Sequence, residues 1–183
     1  MDPRLVMQAR EGDRDAFASL VHQVSDPLFA VAHRILRDSD LASDALQETL
    51  ITAWRQLPRL REVDRFEAWT RRILVNACYA EARRRKRWTA SVRVLPNDGP
   101  SAPDGSARLA DRDELERLFR RLPIAQRAVF VLHHYQGMSL VEVADTLGIP
   151  QGTARSRLHY ATRTLREAVT TDRSIGVPEE RTA

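Results

Sequence analysis

Two sets of residues in this 183-residue sequence have the types and spacing to do chemistry on a polyanion. The first is the run Arg83, Arg84, Arg85, Lys86 and Arg87, followed by Trp88, a compact positive block that suits phosphate backbones or an anionic surface. Taken alone it also fits a solvated helix end, where cations are favourable. At 100° per residue, Arg65, Arg72, Asn76, Tyr79 and Arg83 fall within one narrow strip of the same helix, bordered by Phe66, Trp69 and Ile73. Cationic groups can track phosphates, and flat amide and aromatic groups can take up exposed bases, so the strip suits an unstacked strand. The alternative leaves the aromatics in the core, most readily for Trp69 and in part for Phe66.

The second set lies between residues 140 and 160. A short helix, the tight turn Leu147-Gly148-Ile149 and a longer helix make a helix-turn-helix candidate. Ala154, Leu158, Ala161 and Leu165 recur at steps of four, three and four and are expected to pack inward. Thr153, Arg155, Ser156, His159 and Tyr160 then point outward near the helix start, where a recognition helix meets base edges in a major groove. An αα-hairpin with a merely solvated face is the alternative.

Catalytic and metal chemistry find little support. No paired carboxylate, no nucleophile with a base, no GxGxxG and no GxxxxGK loop emerges from the spacing. His133, His134 and His159 lack HExxH spacing or a nearby Cys or Asp set, so no metal and no cofactor is expected. The single cysteine, Cys78, can form neither an internal disulfide nor a cysteine cage and reads as a packed thiol.

The elements that must position these groups are helical. Apolar spacing follows the 3.6-residue period almost everywhere, which gives an all-α chain. Short helices are expected over 4–10, 15–24 and 27–36. A longer one follows Asp38, with Ala42, Ala45, Leu46, Thr49, Leu50, Ala53 and Leu57 as its buried stripe. Its opposite face carries Asp44, Gln47, Glu48, Ile51 and Trp54, an acidic and partly apolar face that wants a partner. A loop over 58–64 leads to a helix over 65–87.

Residues 89–108 hold three prolines and two glycines and read as a flexible tether between two small helical domains, 1–88 and 109–171, with a disordered tail at 172–183. In the second domain, Pro123 suits a helix start, Ser139 and Glu142 have capping-box spacing, Gly148 suits a helix C′ position and Pro150 opens the last helix. The chain is 43% hydrophobic and 30% charged, too apolar for a disordered chain and too charged for a membrane protein, so the expectation is cytoplasmic without membrane insertion. Net charge is +4, but residues 81–95 alone carry +5.

The order of five segments closely resembles the bacterial RNA polymerase sigma factors of the extracytoplasmic-function group: DLASDALQETLITAW from Asp40, FEAWTRRILVN from Phe66, LPIAQR from Leu122, GMSLVEVA from Gly137 and LGIPQGTARSRL from Leu147. The resemblance covers about residues 10–170. It implies a non-catalytic specificity subunit whose first domain is sigma region 2 and whose second is sigma region 4. It further implies that Asp44, Gln47, Glu48 and Trp54 dock on the clamp helices of the largest subunit of core RNA polymerase. Arg65, Phe66, Arg72, Asn76, Tyr79 and Arg83 would then hold the non-template strand of the minus-10 promoter element, with a base flipped into the loop over 58–64. Thr153, Arg155, Ser156, His159 and Tyr160 would read duplex promoter DNA at the minus-35 element. Tethering two weak contacts to one promoter raises their effective concentration. An anti-sigma factor is the further partner implied. The rival readings are a sigma-mimicking adaptor, a helix-turn-helix repressor and, more distantly, an enzyme. The DNA-facing arginines argue against the adaptor, and the absence of a dimerisation helix or ligand pocket argues against the repressor.

Overall fold

The computed structural model describes the backbone of residues 1–92 and 117–175, and these are helical with short turns and, among the described residues, no strand. Helices α1 (Pro3–Arg10), α2 (Arg14–Leu36) and α3 (Ser39–Gln56) each begin on an aspartate whose carboxylate takes up free N–H groups of the first turn. Asp13 accepts from Asp15 and Ala16 at 2.9 and 3.0 Å, and Asp38 from Asp40 and Leu41 at 3.1 and 3.0 Å. Two 3-10 turns, Leu57–Arg59 and Val63–Arg65, lead into α4 (Phe66–Val92). Residues 117–121 are helical (α5), followed by α6 (Ile124–Phe130), a π-helical turn (Val131–Tyr135), α7 (Leu140–Leu147) and α8 (Gln151–Ile175).

Three boundaries differ from the sequence expectation. Helices expected over 15–24 and 27–36 are one helix, with Pro27 inside it. Proline removes the bond to the carbonyl of residue 23. Gln23 is exposed, so water can take that carbonyl, and Val24, Leu28, Val31 and Ile35 are buried along one stripe that runs across the proline. Helix α4 runs to Val92, into the segment assigned to the tether, because Trp88-Thr-Ala-Ser-Val holds no helix breaker before Pro96. Helix α8 likewise runs to Ile175, past the expected edge of the tail. The tether over 93–108 and the tail beyond Ile175 lie outside the described residues.

Helices α2, α3 and α4 pack on one another with α1 against α2, while α8 packs on α6 and α7. The two domains are not separate bodies. Helix α7 packs on α4 and α6 on α2, and one apolar cluster runs through both, joining Val31, Leu74, Val75 and Cys78 to Val129, Leu132, Val143, Ala144 and Ala154. A smaller cluster of Leu122, Ala161 and Leu165 belongs to the second domain alone. Arg34 lies over the Tyr135 ring at 3.6 Å and Arg37 over the Phe119 ring at 5.7 Å, both across the domain junction. No described helix is long and apolar enough to cross a membrane.

Candidate polymerase and nucleic-acid interfaces

The acidic face of α3 is set by its buried side: Ala42, Ala45, Thr49 and Ala53 face inward, and Thr49 spends its hydroxyl on the Ala45 carbonyl at 2.6 Å. Asp44, Gln47 and Glu48 are exposed, and Ile51 adds an exposed apolar group. Glu48 accepts from Thr52 at 3.1 Å, and Asp44 pairs with Arg84 of α4 at 2.9 Å. Trp54 departs from the other three. It is half-buried, its ring 4.8 Å from that of Phe17 on α2, so the first domain uses part of that surface itself.

Arg65, in the 3-10 turn before α4, and Arg72, Asn76 and Arg83 on α4 are exposed, and Tyr79 is half-buried. The Tyr79 hydroxyl is shielded and has no hydrogen-bond partner among the described residues, and burial raises its pKa while nearby Arg157 works against that rise. Phe66 is not on the strip. It is 1% exposed and anchors the core at the start of α4, its ring 5.9 Å from that of Trp69. The aromatic group that reaches the strip is Trp69, which lines a cavity of about 270 Å³ with Arg61, Arg65 and Arg72. Trp69 was legible only as a border residue, since spacing cannot say which of two aromatics three positions apart turns inward. Arg65 is held by Glu62 at 2.7 Å. Cys78, beneath the strip, is fully buried, and loss of solvent pushes its thiol up to about 12.

The helix-turn-helix is built as its sequence requires. Ser139 and Glu142 form the capping box: the Ser139 N–H donates to the Glu142 carboxylate at 2.8 Å, and the Glu142 N–H donates to the Ser139 hydroxyl at 3.3 Å. The Ser139 hydroxyl also donates to the Glu142 carboxylate at 2.8 Å, and this bond first, with that of the Ser139 N–H, holds the Glu142 carboxyl below its usual range. Gly148 closes α7 in the left-handed region, φ 62° and ψ 40°. On α8, Ala154, Ala161 and Leu165 are buried, with Leu158 half-buried. Arg155, Ser156, His159 and Tyr160 are exposed, and Thr153 is half-buried. Ser156 turns its hydroxyl onto the Thr153 carbonyl at 3.0 Å, which leaves Arg155, His159 and Tyr160 as the groups free to project. His159 and Tyr160 rings meet edge to face at 5.8 Å. Arg157 points instead toward the domain junction, where it lines a cavity with Tyr79 and Arg83. Among the described residues no cluster of three His, Cys, Asp or Glu side chains could hold a metal ion.

Comparison with known proteins places this geometry. Residues 20–88 match the model of Sigma-70 region 2, and residues 112–165 that of Sigma-70 region 4. The chain is 33% identical over 156 residues to the ECF RNA polymerase sigma factor SigM of Mycobacterium tuberculosis (strain H37Rv), covering 85% of this chain and 78% of that protein. It is 26% identical over 179 residues to the ECF RNA polymerase sigma factor SigW of Bacillus subtilis, covering 91% and 96%. Among solved structures, the sigma factor RpoE in complex with the anti-sigma factor NepR from Bartonella quintana superposes with a TM-score of 0.67 at 25% identity, covering 85% of this chain and 98% of that one. CnrH in complex with the cytosolic domain of CnrY gives 0.66 at 25% identity, covering 93% and 98%. The chain therefore belongs to the extracytoplasmic-function group of bacterial sigma factors, and it is an alternative sigma factor that directs RNA polymerase to promoters.

Proposed function

We propose that three outward faces divide the work of promoter recognition, and that the chain does no bond chemistry of its own. The α3 face of Asp44, Gln47 and Glu48, with Ile51 beside it and the exposed part of Trp54 at its edge, docks on the clamp helices of the largest subunit of core RNA polymerase. Carboxylates meeting a basic partner surface favour association rate and register more than raw affinity. The α4 strip of Arg65, Arg72, Asn76, Tyr79 and Arg83 takes the unstacked minus-10 strand, with Trp69 as its stacking platform and Phe66 in a positioning role from the core below. Arg155, His159 and Tyr160, supported by Thr153 and Ser156, read the minus-35 duplex from the first turns of α8. The working units are the first domain, residues 1–88, and the second, residues 109–171, joined by the tether over 89–108. The setting is cytoplasmic, and an anti-sigma factor is the expected regulator, in keeping with the complexes in which the two structural relatives were solved.

The observation that carries this reading is that Arg155, His159 and Tyr160 are exposed while Ala154, Ala161 and Leu165 anchor the same helix from behind. Separable variants test it. Arg155→Ala should cost about 1–3 kcal/mol of minus-35 discrimination while core-polymerase binding stays intact. Asp44→Lys with Glu48→Lys should abolish capture of core enzyme while the helical circular-dichroism signal and melting midpoint hold, because exposed ion pairs contribute at most about 1 kcal/mol. Unchanged promoter preference in the first variant, or undiminished capture in the second, contradicts the corresponding face.

A further inference from the structure

We propose that the arginine-lined cavity between the end of α2, α4 and α6 is a binding site for a diphosphate group, carried by inorganic diphosphate or by a nucleotide.

The cavity, of about 410 Å³, opens where α2 passes into α3. Arg37 and Asp38 line it from that corner, Arg85 and Lys86 from α4, Arg120 from α5 and Arg127 from α6. None of the six belongs to the three faces assigned above. Asp38, the one carboxylate among them, is already used: it accepts from the Asp40 and Leu41 N–H groups and pairs with Arg85. Burial lowers the pKa of the Arg127 guanidinium, and the charges of Arg37 and Arg120 lower it further. Like charges are thus gathered round one space, each disfavouring the others. The Arg127 Nε–H is shielded from solvent and has no hydrogen-bond partner among the described residues. A buried donor left in that state costs free energy that an anion in the cavity recovers. Arg37 itself holds φ 58° and ψ 34°, a left-handed helix end that favours glycine, and among the described residues it is the one non-glycine at positive φ. Strain of this kind gathers at sites that use the side chain it places.

The arrangement also selects the ligand. A groove that tracks a nucleic-acid backbone spreads its cations along a line, whereas these converge on one concavity from three helices and a turn. A single phosphate brings about two negative charges, which offsets only half of the excess of the five cations over Asp38. Two linked phosphates match it, and guanidinium forks take phosphate oxygens in pairs.

Lys86 is the single lysine of the sequence and so places one reporter in the cavity. Reductive methylation with carbon-13 formaldehyde keeps its charge and labels it together with the N-terminal amine, which pairs with Glu67 at 3.2 Å outside the cavity lining. The full chain, at about 0.15 M salt, is titrated with inorganic diphosphate, adenosine 5′-diphosphate, inorganic phosphate, sulfate and a short DNA duplex. The expected result is a saturable shift of the Lys86 signal with diphosphate in either form, at least tenfold tighter than with phosphate or sulfate, while the N-terminal signal stays. The tighter of the two diphosphates names the source. Arg127→Gln should weaken binding about tenfold or more, the factor that one lost charge-assisted hydrogen bond gives. Its melting midpoint without ligand should be no lower than the parent's, because a mutually repelled cation has gone, whereas a purely structural Arg127 would lower it. Arg120→Ala, at an exposed position, should weaken binding in the same direction. No saturable shift with either diphosphate, an equal response to sulfate or to the duplex, or unchanged affinity in Arg127→Gln overturns the site.

Discussion

Two glycines four residues apart, Gly148 and Gly152, should respond to alanine with opposite sign. Gly148 holds φ 62° and ψ 40°, where an L residue brings Cβ against the following carbonyl, at roughly 1–2 kcal/mol. Crowding adds nothing, since among the described residues the new Cβ would meet only the Arg72 guanidinium nitrogen at 3.9 Å, an ordinary contact. Gly152 lies in the first turn of α8 at negative φ with nothing within 4 Å of a built Cβ, so alanine there only reduces the freedom of the unfolded chain and stabilises by up to about 1 kcal/mol. At a urea m-value of about 2 kcal/mol/M, Gly148→Ala lowers the midpoint by about 0.5–1 M and Gly152→Ala raises it by up to about 0.5 M. Urea melts of the full chain, followed by circular dichroism at 222 nm, resolve shifts of that size. Shifts of the same sign, or a Gly148→Ala midpoint equal to the parent's, would refute the claim that the turn is fixed by its left-handed residue.

Other outcomes follow from the same interior. Phe66→Ala should cost about 3–5 kcal/mol, because it empties a ring-sized space at the start of α4; a loss under about 1 kcal/mol in urea melts would put the ring outside the core. The Asp38 carboxyl is held below its ordinary value of 3.8, first by the Leu41 N–H, and also by its contact with Arg85 and the Asp40 N–H, against the opposing effect of burial. Its folded-state pKa is depressed, so its contribution is complete above pH 3.8 and fades as the pH falls through a lower value. The stability gap between the parent and Asp38→Ala, about 1 kcal/mol at pH 7, should accordingly narrow below pH 3.8, and a gap independent of pH contradicts the assignment. With its pKa pushed up to about 12 and no exposure, Cys78 should resist alkylation by iodoacetamide at pH 8 in the native chain and react fully in 6 M urea.

Local features of the sequence were enough to define most elements, because their signals act within a turn or two. The three- and four-residue steps of Ala42, Ala45, Thr49 and Ala53 define α3, and the Ser139–Glu142 box with Gly148 bounds α7. The face of α8 follows in the same way from Ala154, Ala161 and Leu165. What escaped the reading depends on distant partners. Pro27 is an interruption by local rules, yet the stripe of Val24, Leu28, Val31 and Ile35 holds the helix through it. Nothing near Phe66 or Trp69 in the sequence says which ring turns inward, and the Asp44–Arg84 pair joins residues forty apart. The packing of α7 on α4 has no local signature either: Leu147 and Ile149 read equally well as internal packing of the helix-turn-helix, and only the assembled chain shows them against Tyr79.

The central claim is tested most directly by run-off transcription from a library of duplex promoters with purified core polymerase of a related bacterium, with and without this chain. The account predicts transcripts that require the chain and start just downstream of a shared pair of minus-35 and minus-10 motifs, with the minus-35 motif relaxed by Arg155→Ala. Transcripts independent of the chain, or none together with no binding to core enzyme, would contradict it.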